Sequence, residues 1–370
     1  MGRLARCLWA GLALAALTCC FHSASIEMPE RPGQVPYPFA KAEPSPEERA
    51  RFQRAADYSR EHFGFEVLVI QGDHLVFEEH QNGSSASTAH HVFSGTKSFS
   101  CPLAVTAGMD GKLSLDERVA DTLPGFGADE RKARITVREL LNFTSGLAPG
   151  FRELSLDAFR LFPRIRDRNA FAVTLPAEHE PGAKYVYGSQ HLFVLSALLT
   201  RKLGEDPLAF LERRVLEPIG LRYGMWMRDG AGNAALPYGA YLTARDWARF
   251  GVLIRDRGTF QGRALLDPAR LAECFQGSSV MPAYGLTFWL NRPVPPQARE
   301  QAELPSILKR AHNPLVPSAP PDLVVAAGLK DNRLYIVPSL GMVVVRLADG
   351  GGDWSDEEFM ARLLGKTPVP

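Results

Sequence analysis

The sequence predicts an α+β fold of the α/β-sandwich kind: one antiparallel sheet built from strands at both chain ends, with flanking helices and an inserted, mostly helical lobe. Three observations predict it. Residues 65–70 and 75–79 are runs rich in β-branched and aromatic side chains, parted by Gly72-Asp73-His74, a hairpin signature. Similar runs return near the other end, at 323–327, 334–337 and 342–347, with Leu340-Gly341 as a turn. Between them, from Ser94 to about Gly277, the apolar spacing is helical, with stops such as Gly204, Pro218 and Gly220. Strands that bracket a helical middle must meet in space to bury their apolar faces.

The elements follow in order. Residues 1–25 read as a signal peptide, with Arg3 and Arg6, an apolar run over 7–17, then Ser23, Ala24 and Ser25. That run is too short to cross a bilayer, and no later segment approaches the ~20 apolar residues of a membrane helix. An exported chain, periplasmic or secreted and without an integral span, is expected. Lipid anchoring at Cys19-Cys20 is the lesser option, because a cysteine just before the acceptor cysteine is atypical. Six prolines between 29 and 46 make residues 26–45 an extended linker. Ser45-Pro46-Glu47-Glu48 then supplies an N-cap, a first-turn proline and a capping-box glutamate for a helix to about His62. Eight prolines between 293 and 321 predict loop, and Ser355 with Glu358 caps a last helix to about Leu364. A single domain over 46–365 results, its sheet lobe about 46–93 and 281–365 and its helical lobe about 94–280.

Composition excludes several function classes. At 370 residues the chain buries a large core without staples, and 45% hydrophobic with 22% charged residues excludes a disordered or fibrous protein. With 42 basic against 41 acidic side chains and no basic cluster, no nucleic-acid partner is expected; a small molecule or short peptide is. Beyond the signal only Cys101 and Cys274 remain. Both lie in helix-like sequence and are expected as buried free thiols, one bridge between them being the alternative. The histidines lack metal-ligand spacing, and His90 and His91, being adjacent, point apart, so neither metal nor cofactor is expected.

Chemistry enters at Ser94-Gly95-Thr96-Lys97. Three-residue spacing on a helix puts serine and lysine on one face, and apolar Val92-Phe93 and residues 101–105 bury the helix that carries them. A serine hydroxyl becomes a nucleophile only when a base takes its proton. Taken alone the motif is short enough to arise by chance as a capping serine beside a surface lysine. Its setting resembles the serine β-lactamase and penicillin-binding-protein superfamily, in particular its class C-like esterase and 6-aminohexanoate-dimer hydrolase branch. Residues 111–117 and 135–147 are similar to segments that follow the active serine there, and the resemblance covers about 60–364.

The resemblance implies a β-lactamase/transpeptidase-like fold and names further residues. Tyr187, after the Pro181-Gly182 turn and before a helix from His191, matches the family's tyrosine as general acid/base. Ser189 stands where asparagine is usual and would hydrogen-bond substrate or Lys97. Lys97, kept positive, lowers the pKa of a nearby phenol; kept neutral, it accepts the serine proton itself. Either route gives an acyl-enzyme on Ser94. The third family motif, Lys-Thr-Gly or His-x-Gly, is replaced by Gly328-Leu329-Lys330-Asp331-Asn332-Arg333. Backbone donors need no particular side chain, so Leu329, Lys330 and Asp331 are assigned to the substrate and oxyanion side beside the Ser94 N–H. Pro102 is expected to kink the active-site helix. Thr243 and Asp246 cap a helix beneath the site, and Trp226, Tyr238, Phe288 and Trp289 are candidate pocket walls. The expected activity is hydrolysis of an ester or amide. A β-lactamase or D-amino-acid peptidase is the first alternative, and a non-catalytic relic that binds cell-wall peptides is the second.

Overall fold

A computed structural model of the chain describes residues 25–29, 37–150, 165–300 and 305–369. The signal-peptide reading falls almost wholly outside them. The strands are β1 (Ile26–Glu27), β2 (Ala40–Lys41), β3 (Gly64–Gln71), β4 (His74–His80), β5 (Thr88–His91), β6 (Met225–Trp226), β7 (Ala240–Leu242), β8 (Thr259–Phe260), β9 (Arg263–Ala264), β10 (Trp289–Leu290), β11 (Val324–Ala327), β12 (Arg333–Val337) and β13 (Met342–Ala348). The helices needed below are α1 (Pro46–Glu61), α2 (Ser100–Met109), α3 (Gln190–Leu203), α4 (Ala244–Arg255), α5 (Pro268–Glu273) and α6 (Asp356–Leu364).

Seven strands form one sheet in the order β10-β11-β12-β13-β3-β4-β2. The two chain ends meet at its centre, where β13 runs antiparallel to β3 from Met342↔Gln71 to Ala348↔Gly64. The remaining pairs are antiparallel too, except that β2, from the end of the proline-rich stretch, joins β4 in parallel at the edge. Helices cover both faces. Gly251 of α4 lets that helix approach Val343 and Leu334 so closely that a Cβ would lie 2.5 and 2.9 Å from their side chains. The adjacent Tyr335 points the other way and stacks on Phe359 of α6. Burial on both faces explains why residues 67–70 and 342–345 read as unbroken apolar runs rather than alternating ones. The expected caps form: Ser45 and Glu48 close a capping box on α1, Thr243 caps α4 and Ser355 caps α6.

The structure corrects the sequence expectation in three places. The middle of the chain is not only helical, because β5, β6 and β7 with β1 form a second sheet in the order β1-β5-β7-β6. Strands of two or three residues are too short for a period of two to register. The segment that carries Ser94 is not one α-helix bent at Pro102: Phe93–Phe99 is 3₁₀ and turns α-helical at Ser100, so the change of helix type precedes Pro102, which stands in the first α-turn. The thiols are not free: Cys101 of α2 and Cys274, just past α5, are bridged across 173 residues. Closing so long a loop restricts the unfolded chain, by about 5 kcal/mol on the chain-entropy relation. Reduction, or Cys101→Ser with Cys274→Ser, is therefore expected to lower the melting temperature by several degrees, and a calorimetric scan with and without reductant checks it. Among the described residues, no helix is long and apolar enough to cross a membrane.

Candidate active site

The second sheet positions Ser94. Strand β5 pairs with β7 at His90↔Leu242 and His91↔Tyr241, and the chain then turns sharply into the 3₁₀ segment. Phe93 sits in the turn at φ 46°, left-handed backbone that a side chain adopts only when its surroundings enforce it. Here they do. Val92 N–H donates to Ala240 O at 3.1 Å, Gly95 N–H donates to Val92 O at 2.9 Å, and Ala240 N–H donates to Thr96 Oγ1 at 3.1 Å. Gly95 is glycine because a Cβ would fall 2.6 Å from the Trp247 ring.

A 3₁₀ turn holds three residues, so Ser94 and Lys97 stack almost directly one above the other. Lys97 is 2% exposed, and its Nζ donates to Ser94 Oγ at 2.9 Å and to Pro237 O at 3.0 Å. The same ammonium lies 5.1 Å from the centroid of the Tyr187 ring. Three side chains from two distant stretches thus converge. Tyr187 is held among aromatic rings: Trp289 stacks on it at 5.9 Å, with Phe143 at 5.5 Å and Tyr284 at 6.3 Å edge-on. Its backbone is pinned next door, Val186 N–H donating to Phe143 O at 2.9 Å. His191 braces the same turn from below, donating from Nε2 to Val186 O at 2.8 Å and accepting the Ser145 hydroxyl at Nδ1 at 2.9 Å. Burial, reinforced by the nearby Lys97 charge, pushes the His191 imidazole down to about 4, so it stays neutral. Ser189 opens α3 fully buried, and among the described residues its hydroxyl has no hydrogen-bond partner.

The far wall is the end of β11. A Cβ on Gly328 would lie 2.1 Å from Val92 O and 3.3 Å from Gly95 N, so only glycine lets the strand press against the Ser94 turn. Neither the Ser94 nor the Leu329 backbone N–H has a partner among the described residues. The next two side chains are engaged elsewhere. Lys330 pairs with Asp349, and the Asp331 carboxylate accepts from Arg333 at 3.2 Å.

Of the residues singled out from sequence, Ser94, Lys97 and Tyr187 come together, with Leu329 beside them, while Lys330 and Asp331 turn their charges into internal pairs. Among the candidate walls, Trp289 lies on Tyr187, and Tyr238 follows the Pro237 carbonyl that holds Lys97. Trp226 packs on Phe99, and Phe288 on Phe250 and Phe275, in the core. Sequence reasoning missed Gly328, whose signal was an isolated glycine ending a strand, and Pro237, Phe143 and His191, which had none.

Among the described residues, one set of side chains has metal-ligand spacing: Glu66, Glu78 and His80, their ligand atoms within 4.8 Å of one another. Its members are already engaged, because Arg245 grips Glu78 with two bonds of 2.6 Å and His80 Nδ1 stands 3.5 Å from Glu66. Burial pushes the Glu66 carboxyl up to about 6, the His80 contact pulling the other way. Because the folded value exceeds the unfolded 4.5, stability is full below the unfolded value and declines as pH rises through about 6. Glu66→Gln is expected to stabilise the protein by about 2 kcal/mol at pH 8 and not at all below pH ~4.5. Urea titrations at the two pH values measure the difference.

A family model described as Beta-lactamase matches residues 49–366. Among curated proteins, monacolin J acid methylbutanoyltransferase of Aspergillus terreus is 28% identical over 153 residues, 36% of this chain and 37% of that protein. Penicillin-binding protein 4 of Amycolatopsis lactamdurans is 31% identical over 160 residues, 41% of this chain and 40% of that protein. The matched stretch therefore spans well under half the length of these relatives. Among solved structures, a candidate 6-aminohexanoate-dimer hydrolase from Bacillus anthracis superposes with a TM-score of 0.67 at 14% identity, covering 94% of this chain and 90% of that one.

Proposed function

The chain belongs to the beta-lactamase family, and from that premise we propose that it is a serine hydrolase cleaving a neutral ester or amide through an acyl-enzyme on Ser94. The observation that carries this reading is the buried Lys97 Nζ, 2.9 Å from Ser94 Oγ and 5.1 Å from the Tyr187 ring. The Ser94 proton passes to the Lys97–Tyr187 couple as Oγ bonds to the substrate carbonyl carbon. The oxyanion is met by the Ser94 and Leu329 N–H groups, a contribution of about 3 to 4 kcal/mol per donor where it has been measured. The couple returns the proton to the leaving alcohol or amine, then takes one from water and gives it to Ser94 Oγ as the water oxygen displaces it and frees the acid.

Two features support esters over carboxylate-bearing substrates. The Lys330 ammonium and the Asp331 carboxylate are tied to Asp349 and Arg333, so that among the described residues this turn directs its cation away from a substrate carboxylate. The wall around Tyr187 is aromatic. Turnover of p-nitrophenyl butyrate is expected to exceed that of nitrocefin by at least tenfold in kcat/KM. The reverse ratio would favour the β-lactamase or D-amino-acid peptidase reading, and no turnover of either the non-catalytic one. Gly328→Ala is expected to push Leu329 away from Ser94 and lower kcat about 10²-fold, the scale of a 1 Å misplacement. Steady-state kinetics of that variant checks it.

Export belongs to the same proposal. The signal-like residues 1–25 and the Cys101–Cys274 bridge both suit an oxidising compartment. N-terminal sequencing of protein recovered outside the cytoplasm tests this, and a chain found there still starting at Met1 would contradict it.

A further inference from the structure

The wall that supplies the Leu329 N–H is held in an uncommon backbone shape. Lys330 and Asp331 are consecutive non-glycine residues at φ 58° and 60°. Left-handed backbone at such residues is strained and persists only where surrounding contacts over-determine it. The contacts come from two arginines of the sheet, both fully buried, that take no part in the reaction described above.

Arg333, at the start of β12, donates from Nη1 to Gly328 O at 2.8 Å and from Nη2 to Asp331 Oδ1 at 3.2 Å, so one guanidinium grips both ends of the turn. Asp356 of α6 fixes that guanidinium through Nε at 2.8 Å and Nη2 at 3.3 Å. Arg346 of β13 donates from Nη1 to Asp331 O at 2.7 Å, and is itself held by Ser59 Oγ at 3.1 Å and His62 O at 2.6 Å of the α1 end. Asn332 closes the turn from inside, donating to Leu329 O at 2.9 Å and accepting from Ala348 N–H at 3.0 Å. The carbonyls of Leu329, Asp331 and Asn332 are thus held by Asn332, Arg346 and Arg333, while the Leu329 N–H has no partner among the described residues.

Resting on the reading that Ser94 forms an acyl-enzyme, we infer that Arg333 and Arg346 are positioning residues for the oxyanion donor at Leu329, doing with buried guanidinium forks what the missing Lys-Thr-Gly or His-x-Gly sequence does not do here. A lysine can keep one ion pair but lacks the planar fork needed to span Gly328 O, Asp331 and Asp356 together. Leu329 then shifts relative to Ser94, and oxyanion stabilisation falls without loss of substrate binding.

The test is R333K in the full-length protein, assayed with p-nitrophenyl butyrate by burst and steady-state kinetics. The expected result is a kcat lower by fivefold or more, KM within twofold of wild type, and a burst amplitude still near one acyl group per chain. That combination separates a displaced donor from partial unfolding, which lowers burst amplitude instead. A smaller change in kcat, or a loss confined to KM or to burst amplitude, overturns the inference. If R333K does not fold, R346K is judged by the same limits. A wild-type protein without burst or Ser94 adduct would fail the acyl-enzyme reading and this inference with it, whereas a normal wild type beside an unaltered R333K fails this inference alone.

Discussion

Ser94→Ala is expected to yield a folded protein whose ester turnover falls at least ~10³-fold. The substitution removes one oxygen, and the turn that carries it is held by neighbours: Val92 to Ala240, Gly95 to Val92 and Thr96 to Ala240. Lys97 keeps its bond to Pro237 O. Nothing in the core is emptied, so the melting temperature should move little, and the loss should appear as chemistry. The neighbouring Ser98 hydroxyl donates to Thr287 O at 2.8 Å and is thereby committed to the backbone. Ester turnover and a thermal melt on the same preparation check both halves. Turnover within tenfold of wild type in a folded variant would remove Ser94 from the mechanism.

Lys97→Met is expected to lower kcat/KM about 10³-fold, within the range found for removing a positioned acid/base group. Methionine approximates the length and volume of the buried stem, so packing against Tyr187 is kept while both donor bonds are lost. The Pro237 carbonyl is left without its donor, a cost of about 1 to 3 kcal/mol that partly offsets the relief of no longer burying a charge. Stability is thus expected to change by less than activity. The pH profile carries a second readout: a limb of kcat/KM that reports the Lys97–Tyr187 couple should disappear in Lys97→Met. A variant that keeps that limb and loses less than tenfold in rate would leave Lys97 with a structural role only.

The proximity of Ser94, Lys97 and Tyr187, on which the proposed reaction rests, was legible in the sequence because its signals are local. Three-residue spacing brings Ser94 to Lys97 on any helix, and the Pro181-Gly182 turn before an apolar helix marks the entry to Tyr187. The sheet was legible for the same reason, since β3, β4, β12 and β13 are long enough to show their composition. What escaped depends on contacts between distant segments. The 3₁₀ turn at Ser94 is held by β7 and Trp247, more than 140 residues downstream. The need for glycine at 328 comes from Val92, on the other side of the site. The pairing of Cys101 with Cys274 requires α2 and α5 to lie side by side, which neither helix announces. Lys330 and Asp331 carry the right chemistry for a substrate contact. Left-handed backbone at both, with Asp349 and Arg333 waiting as partners, turns those charges inward instead.

The most direct measurement is the intact mass of the protein after exposure to a fluorophosphonate, followed by peptide mapping. One phosphonyl group per chain, located on the peptide that contains Ser94 and absent from Ser94→Ala, is the predicted result. An unmodified wild-type mass, or an adduct mapped to any other residue, would contradict a nucleophile activated at the junction of the 3₁₀ turn, the Tyr187 turn and the end of β11.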